Sequence, residues 1–89
     1  MNSAQIVGVG SSLPKRVVTN DDLTAFVDTS DDWIVSRTGI HSRRFAADGE
    51  TASTLAADAG RRALLAAEIA PGEVDLTVVA TISGDQPLP

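Results

Sequence analysis

The chain is 89 residues long with a formal net charge of −5 at pH 7, which limits it to one small domain or part of one. Its acidic balance argues against nonspecific binding to nucleic acid or to an anionic membrane surface, and no apolar run reaches the roughly 18 residues of a membrane span. The sequence contains no cysteine and lacks a basic segment followed by an apolar one at its start, so we expect a cytoplasmic protein without disulfides, thiol nucleophile or cysteine metal site.

The first predicted elements are two short strands and a brief helix. Residues 5–10 predict a buried strand, because β-branched side chains are followed by glycine. A Leu-Pro pair turns the chain, and residues 16–19 predict a second strand at a sheet edge. Thr19 then precedes carboxylates in a first helical turn, which predicts a cap and a helix that ends near Val27.

A second helix signal follows at once. Thr29 or Ser30 caps this helix, acidic residues occupy its first turn, and Gly39 ends it. The helix carries the only tryptophan of the chain, Trp33, and places Arg37 four residues later. Residues at this spacing share one face of a helix, with Cβ atoms about 5–6 Å apart.

The shared face of Trp33 and Arg37 has two interpretations. A flat indole beside a guanidinium suits a nucleotide, because the ring stacks on a base and the cation binds phosphate. The alternative is a surface cation–π pair that braces a short helix. The proximity of Arg37, Arg43 and Arg44 likewise indicates either a solvated turn or a local anion site.

The next predicted elements are an extended segment over 40–45, a loop with an Asp-Gly turn over 46–50, and a helix over 51–68 for which Thr51 and Ser53 are both candidate caps. The helix carries one apolar stripe at helical spacing, formed by Leu55, Ala59, Ala63 and Ala66. Because most of these side chains are small, we expect the helix to approach its neighbour closely.

The last predicted elements are a connector over 71–73, a strand over 74–82 and a loop over 83–89. The strand is apolar on both faces, which is typical of the centre of a parallel sheet covered by helices. The pattern is therefore α/β. A central strand needs neighbours on both edges, so we expect the fold to be incomplete here and the isolated chain to fold poorly or associate.

Other motifs favour structural explanations. Gly8-Val9-Gly10 resembles a dinucleotide-binding turn, but Pro14 stands where a helix should begin. The carboxylate pairs at 21–22 and 31–32 are helix-start charges, because adjacent helical residues do not face each other. His41 is the only histidine and has no partner at zinc-ligand spacing, and we predict no catalytic residue and no metal site.

A family resemblance rests on a specific central run. The run covers residues 28–34, which read DTSDDWI, and continues with Arg37-Thr38-Gly39-Ile40 and then Arg43. It closely resembles β-ketoacyl-acyl-carrier-protein synthase III. Similar motifs, in the same order and spacing, lie at 6–14, 19–23 and 78–81. The resemblance implies that residues 1–89 are the N-terminal part of a half-domain of a thiolase-like fold, which stacks α-β-α-β-α layers and usually forms a homodimer.

The resemblance also implies an activity. The family condenses a short acyl-CoA with malonyl-acyl carrier protein to initiate fatty acid synthesis, with acyl-CoA as a substrate and no further cofactor. Residues matching Trp33 and Arg37 line the CoA entrance, and those matching Thr29 and Thr38 lie beside the same group. The family's catalytic Cys, His and Asn have no counterpart in this chain, and His41 does not match the catalytic His.

Two alternatives stay open at this point. One is a non-catalytic remnant that binds CoA or pairs with another chain. The other is a starter-unit acyltransferase of a secondary pathway. A nicotinamide-binding Rossmann unit is disfavoured by Leu13-Pro14 after Gly10.

Overall fold

The computed structural model describes residues 3–82, which fall into two compact units. One unit is Leu13–Gly49, and the other combines the segment before Leu13 with the segment after Gly49. The loop expected over 83–89 lies outside the described residues. No helix among residues 3–82 is both long enough and apolar enough to cross a bilayer.

The unit Leu13–Gly49 contains two paired strands, with two short helices between them in the chain. Its elements are β1 (Arg16–Thr19), α1 (Asn20–Leu23), α2 (Asp31–Thr38) and β2 (Ser42–Phe45). The strands are antiparallel, with Arg16 opposite Phe45 and Thr19 opposite Ser42. The predicted strand over 16–19 and the extended segment over 40–45 are therefore confirmed.

Both helices of this unit begin at predicted caps. The Thr19 hydroxyl accepts from the Asp22 backbone N–H over 3.1 Å, and the Asp22 carboxylate accepts from the Thr19 N–H over 2.9 Å. Ser30, one of the two candidate caps, accepts from the Trp33 N–H over 3.2 Å. Gly39 ends α2 with φ of 71°, a left-handed conformation that glycine adopts without steric cost.

Helix α1 is shorter than predicted. It ends at Leu23 rather than near Val27. The backbone N–H and the hydroxyl of Thr24 both donate to the Asp21 carbonyl, over 3.1 and 2.6 Å. The N–H groups of Ala25 and Phe26 likewise donate to carbonyls three residues back, so the chain continues as tight turns rather than as α-helix.

The second unit is built on α3 (Ala52–Ala67), which confirms the helix predicted over 51–68. Thr51 caps it by accepting from the Thr54 N–H over 3.2 Å, and Glu68 ends it in a left-handed conformation with φ of 59°. The predicted connector forms a single 3-10 turn, Pro71–Glu73.

The close approach expected of α3 involves Gly8 and Gly10. A Cβ on Gly8 would lie 2.6 Å from the Ala63 carbonyl oxygen, and one on Gly10 would lie 2.5 Å from the Ala63 nitrogen. These glycines therefore allow backbone-to-backbone packing rather than phosphate binding. The apolar stripe predicted on α3 was wrong at Ala66, which is exposed. Ala67 contacts Gly8 in its place.

The strands predicted over 5–10 and 74–82 are not formed. Side chains that should be buried are exposed, including Ile6 at 85% and Val78 at 82%. The physical reason is that a strand requires partners for its backbone groups, and the described residues supply no strand that pairs with either segment. What the described residues contain is a partial α/β fold whose buried side chains are Val18 and Asn20.

Candidate functional site

Helix α2 presents Trp33 and Arg37 on one face. The Arg37 Cζ lies 5.2 Å from the centroid of the Trp33 ring. The indole is 55% exposed, so neither side chain is sealed in a core. The geometry predicted from the i, i+4 spacing is confirmed, and it places a π-surface and a cation together at the protein surface.

A groove lies at the start of the same helix. It is lined by Val27, Asp28, Thr29, Ser30 and Trp33 and has a volume of about 460 Å³. The groove brings two of the predicted site residues, Thr29 and Trp33, together.

Thr29 contributes an unusual hydroxyl to this groove. Its Oγ1 is buried and has no hydrogen-bond partner within the described part of the chain. Leaving a buried polar group unsatisfied costs about 1–3 kcal/mol. Because this oxygen is shielded from solvent, a ligand could bond it only after the groove rearranges.

Thr38 has a different environment. Its hydroxyl donates to the Ile34 carbonyl over 2.8 Å and accepts from the Ile40 N–H over 3.0 Å. Both bonds help to end α2 and lead the chain out of the helix. The geometry therefore gives Thr38 a structural task, and its ligand-binding role stays a prediction.

The local anion site considered for Arg37, Arg43 and Arg44 is not formed. Arg43 donates to the Val18 carbonyl and to Asn20, and Arg44 donates to the Pro14 carbonyl over 2.9 Å. Successive strand residues also point to opposite faces of a sheet. Of the three guanidinium groups, that of Arg37 is the one that lies beside the indole.

His41 offers no sign of a catalytic role. Its side chain is exposed, and its backbone carbonyl accepts from the Asn20 N–H over 3.2 Å, which extends the β1–β2 ladder. Among residues 3–82, no group of histidine and carboxylate side chains is arranged to hold a metal ion.

Asn20 is the residue that sequence reasoning missed. Its side chain is 1% exposed and forms three hydrogen bonds within the unit, to Asp31, Ile40 and Arg43. The sequence carried no signal for this role, because Asn after a threonine cap is an ordinary way to begin a helix.

Comparisons with known proteins agree with the resemblance. No protein-family model matches the sequence. The chain is 52% identical over 89 residues to β-ketoacyl-[acyl-carrier-protein] synthase III of Rhizorhabdus wittichii, covering all of this chain and 28% of that protein. It is 58% identical over 84 residues to the enzyme of the same name from Rhodospirillum centenum, covering 94% and 26% respectively.

Solved structures show the same likeness. The 3-oxoacyl-[acyl-carrier-protein] synthase III of Aquifex aeolicus matches with a TM-score of 0.92 and 45% identity, over 98% of this chain and 28% of that one. The priming β-ketosynthase of the R1128 polyketide biosynthetic pathway matches with a TM-score of 0.78 and 42% identity, over 80% and 21%. The chain thus spans about a quarter of the length of the relatives it matches.

Proposed function

The chain belongs to the β-ketoacyl-acyl-carrier-protein synthase III family, and we propose that α2 forms the rim at which such an enzyme receives the nucleotide end of an acyl-CoA. The complete reaction would condense the acyl group with malonyl-acyl carrier protein, in an enzyme that is a homodimer. These 89 residues contain no cysteine, so a thiol that accepts the acyl group must come from residues outside them.

The observation that carries this proposal is the shared face of Trp33 and Arg37. More than half of the indole is exposed, and the guanidinium lies 5.2 Å from its centroid. A purine stacked on the indole would be stabilised by about 1–3 kcal/mol. A charge-assisted hydrogen bond from Arg37 to a phosphate would add about 1.5–3 kcal/mol.

These magnitudes also show what α2 does not supply. Micromolar affinity corresponds to about 8 kcal/mol, which exceeds the sum expected from the two side chains. The rim therefore selects and orients the nucleotide, and the remaining affinity must come from contacts with the rest of the acyl-CoA.

Thr29 supports the same proposal. Thr29 lines the same groove as Trp33, and its buried hydroxyl lacks a partner among the described residues. If the groove opened on binding, a polar edge of the base would satisfy this hydroxyl and return part of the free energy that its isolation costs. Thr38 would act at the other end of α2 by fixing where the helix ends after Arg37.

The experiment compares two acyl donors in the longest polypeptide that the reading frame of this chain encodes, called here the full polypeptide. Acyl-CoA carries the nucleotide, and the corresponding acyl-pantetheine lacks it. We expect Trp33→Ala to raise KM for acyl-CoA about tenfold, which equals about 1.4 kcal/mol, and to leave acyl-pantetheine unchanged. Trp33→Phe keeps an aromatic face, so it should raise KM for acyl-CoA by less than Trp33→Ala does.

Two results would contradict this function. One is an equal loss with both donors, because a lost nucleotide contact cannot weaken a substrate that has no nucleotide. The other is a full polypeptide that lacks condensing activity while it still binds CoA, which would favour the non-catalytic alternative.

A second candidate is a priming acyltransferase of a secondary pathway. The observation that favours it is the match to the R1128 priming β-ketosynthase, at 42% identity against 45% for the Aquifex aeolicus enzyme. The two candidates differ in the carrier protein they use. Condensation with a polyketide carrier protein but not with a fatty-acid carrier protein would establish the second.

A further inference from the structure

Asn20 is the most buried of the described residues, and its amide is fully engaged. The nitrogen Nδ2 donates to the Asp31 carboxylate over 2.9 Å and to the Ile40 carbonyl over 2.8 Å. The oxygen Oδ1 accepts from the Arg43 guanidinium over 2.7 Å. Both N–H donors of the amide and its acceptor therefore have partners, two of which are charged.

Two of these partners bracket helix α2. Asp31 is the first residue of the helix, and Ile40 directly follows Gly39, at which the helix ends. A single nitrogen atom is thus bonded to both ends of the element that carries Trp33 and Arg37. A change in that nitrogen would release both ends of the helix together.

Helix α2 has little else within its unit to fix its position. None of its residues is fully buried, and Ile34 and Val35 are half-buried, so hydrophobic packing anchors it only in part. A helix of 8 residues is too short to be stable by its own hydrogen bonds. Polar tethers therefore supplement the partial apolar packing of this helix.

The orientation of the Asn20 amide is itself fixed. Arg43 donates to the Val18 carbonyl over 3.2 Å and also to Asn20. If the amide were flipped, its nitrogen would face the guanidinium and its oxygen would face the Asp31 carboxylate. Both arrangements are repulsive, so the guanidinium and the carboxylate together select one orientation.

We propose that Asn20 is the positioning residue for the nucleotide-binding face of α2. It holds both ends of the helix against the β1–β2 pair and thereby sets where Trp33 and Arg37 stand. The role in substrate binding rests on the proposed function, but the positioning role concerns the chain alone and can be tested without any ligand.

The test uses Trp33 as its own reporter. It is the only tryptophan of these 89 residues, so in a full polypeptide whose other tryptophans are replaced by phenylalanine its fluorescence anisotropy and its quenching by acrylamide follow the state of α2. Asn20→Asp keeps the acceptor for Arg43, removes both donors and sets a carboxylate against that of Asp31. We expect a more mobile indole, with lower anisotropy and stronger quenching.

A polarity swap provides the rescue. Adding Asp31→Asn to Asn20→Asp restores a donor–acceptor pair at this contact with the direction of donation reversed, although the Ile40 carbonyl remains without its donor. We expect the double variant to recover part of the Trp33 signal. In the full polypeptide, Asn20→Asp should raise KM for acyl-CoA about tenfold, as expected for lost bonds to charged groups, and should leave acyl-pantetheine unaffected.

Unchanged anisotropy and quenching in a folded Asn20→Asp variant would overturn the proposal, and so would a swap that recovers nothing. If Asn20→Asp unfolds the chain, Asp31→Ala becomes the deciding variant. It removes the bond between Asn20 and Asp31 and leaves the bonds of Asn20 to Ile40 and Arg43 in place. A mobile indole in that variant supports the proposal, and an unchanged one overturns it. The proposed function fails separately, if Trp33→Ala does not alter the use of acyl-CoA.

Discussion

The Arg43 guanidinium donates to the Asn20 side-chain oxygen over 2.7 Å, although 23 residues separate them in the chain. The same guanidinium donates to the Val18 carbonyl over 3.2 Å. One side chain of β2 therefore holds both the backbone of β1 and the buried amide that follows it. This contact is where the small core of the unit Leu13–Gly49 and the placement of α2 meet.

Arg43→Lys should destabilise the protein by about 1–3 kcal/mol, because an ammonium does not reproduce a planar fork that reaches two acceptors. Arg44→Lys is the matched control, since Arg44 is exposed and its guanidinium donates to the Pro14 carbonyl rather than to a buried group. The measurement is the free energy of unfolding by chemical denaturation in the full polypeptide. Equal stability of the two variants would contradict the role assigned to Arg43.

Gly10→Ala should destabilise the second unit by about 1–3 kcal/mol, the usual cost of overpacking. Its new methyl group would lie 2.5 Å from the Ala63 nitrogen, and helix backbone does not yield easily. Gly60→Ala is the control within α3, where a Cβ meets nothing within 4 Å. It should stabilise the helix by about 0.5–1 kcal/mol. The free energy of unfolding of each variant is measured by circular dichroism during denaturation. A Gly10→Ala variant as stable as the parent would contradict the close packing of Gly10 against α3.

The elements that could be predicted are those whose signals are local. Thr19, Ser30 and Thr51 lie directly before their helices, and each accepts the hydrogen bond that its side chain predicts. Gly39 ends α2 for an equally local reason, its positive φ. A cap is determined within four residues, so the sequence narrows it to neighbouring candidates, and the structure selects Ser30 over Thr29.

The elements that could not be predicted depend on distant partners. Apolar β-branched runs at 5–10 and 74–82 carry a strong strand signal, yet a strand exists only when its backbone groups are paired. The described residues supply no such pairing for either run. Helix α1 is shorter than predicted for a more local reason, because Thr24, Ala25 and Phe26 donate to carbonyls three rather than four residues back.

The candidate site likewise has one part that the sequence predicts and one part that it does not. Trp33 and Arg37 are four residues apart on one helix, so their contact follows from helical geometry alone. The network of Asn20 joins residues 11, 20 and 23 positions away. No pattern in a single sequence predicts such a network, because its partners are far apart in the chain and come together only when the chain folds.

The capping box of α1 should make stability depend on acidic pH. The backbone N–H and the hydroxyl of Thr19 lower the pKa of Asp22 from its ordinary value of 3.8. A lowered pKa in the folded state stabilises the protein above 3.8, and this contribution falls as the pH drops below 3.8 and through the folded-state pKa. Asp22→Asn should therefore be less stable than the parent at pH 7 and should differ less from it at about pH 2.

The measurement is the denaturation midpoint of parent and variant between pH 7 and pH 2, with Asp21→Asn as the neighbouring control. Asp21 lies in the same turn, but its carboxylate is not the capping-box acceptor. A difference between parent and Asp22→Asn that stays constant across this range would contradict the assignment.

The isolated 89-residue chain should associate through the exposed apolar segment at residues 74–82. Leu76 and Val78 are 80% and 82% exposed, and their backbone groups are not paired in a strand. Unpaired edges of this kind join to one another between molecules. Replacing both residues by lysine should shift the chain toward monomer in analytical ultracentrifugation.

Leu65→Lys supplies the comparison. Leu65 is 77% exposed, but it lies in α3, where the backbone already has its hydrogen bonds. If association depended on exposed apolar area alone, this change would reduce it as much per residue as those at 76 and 78. We expect a clearly smaller effect, because strand pairing needs free backbone donors and acceptors as well as apolar side chains. A monodisperse parent chain with a sharp unfolding transition would contradict the expectation of association altogether.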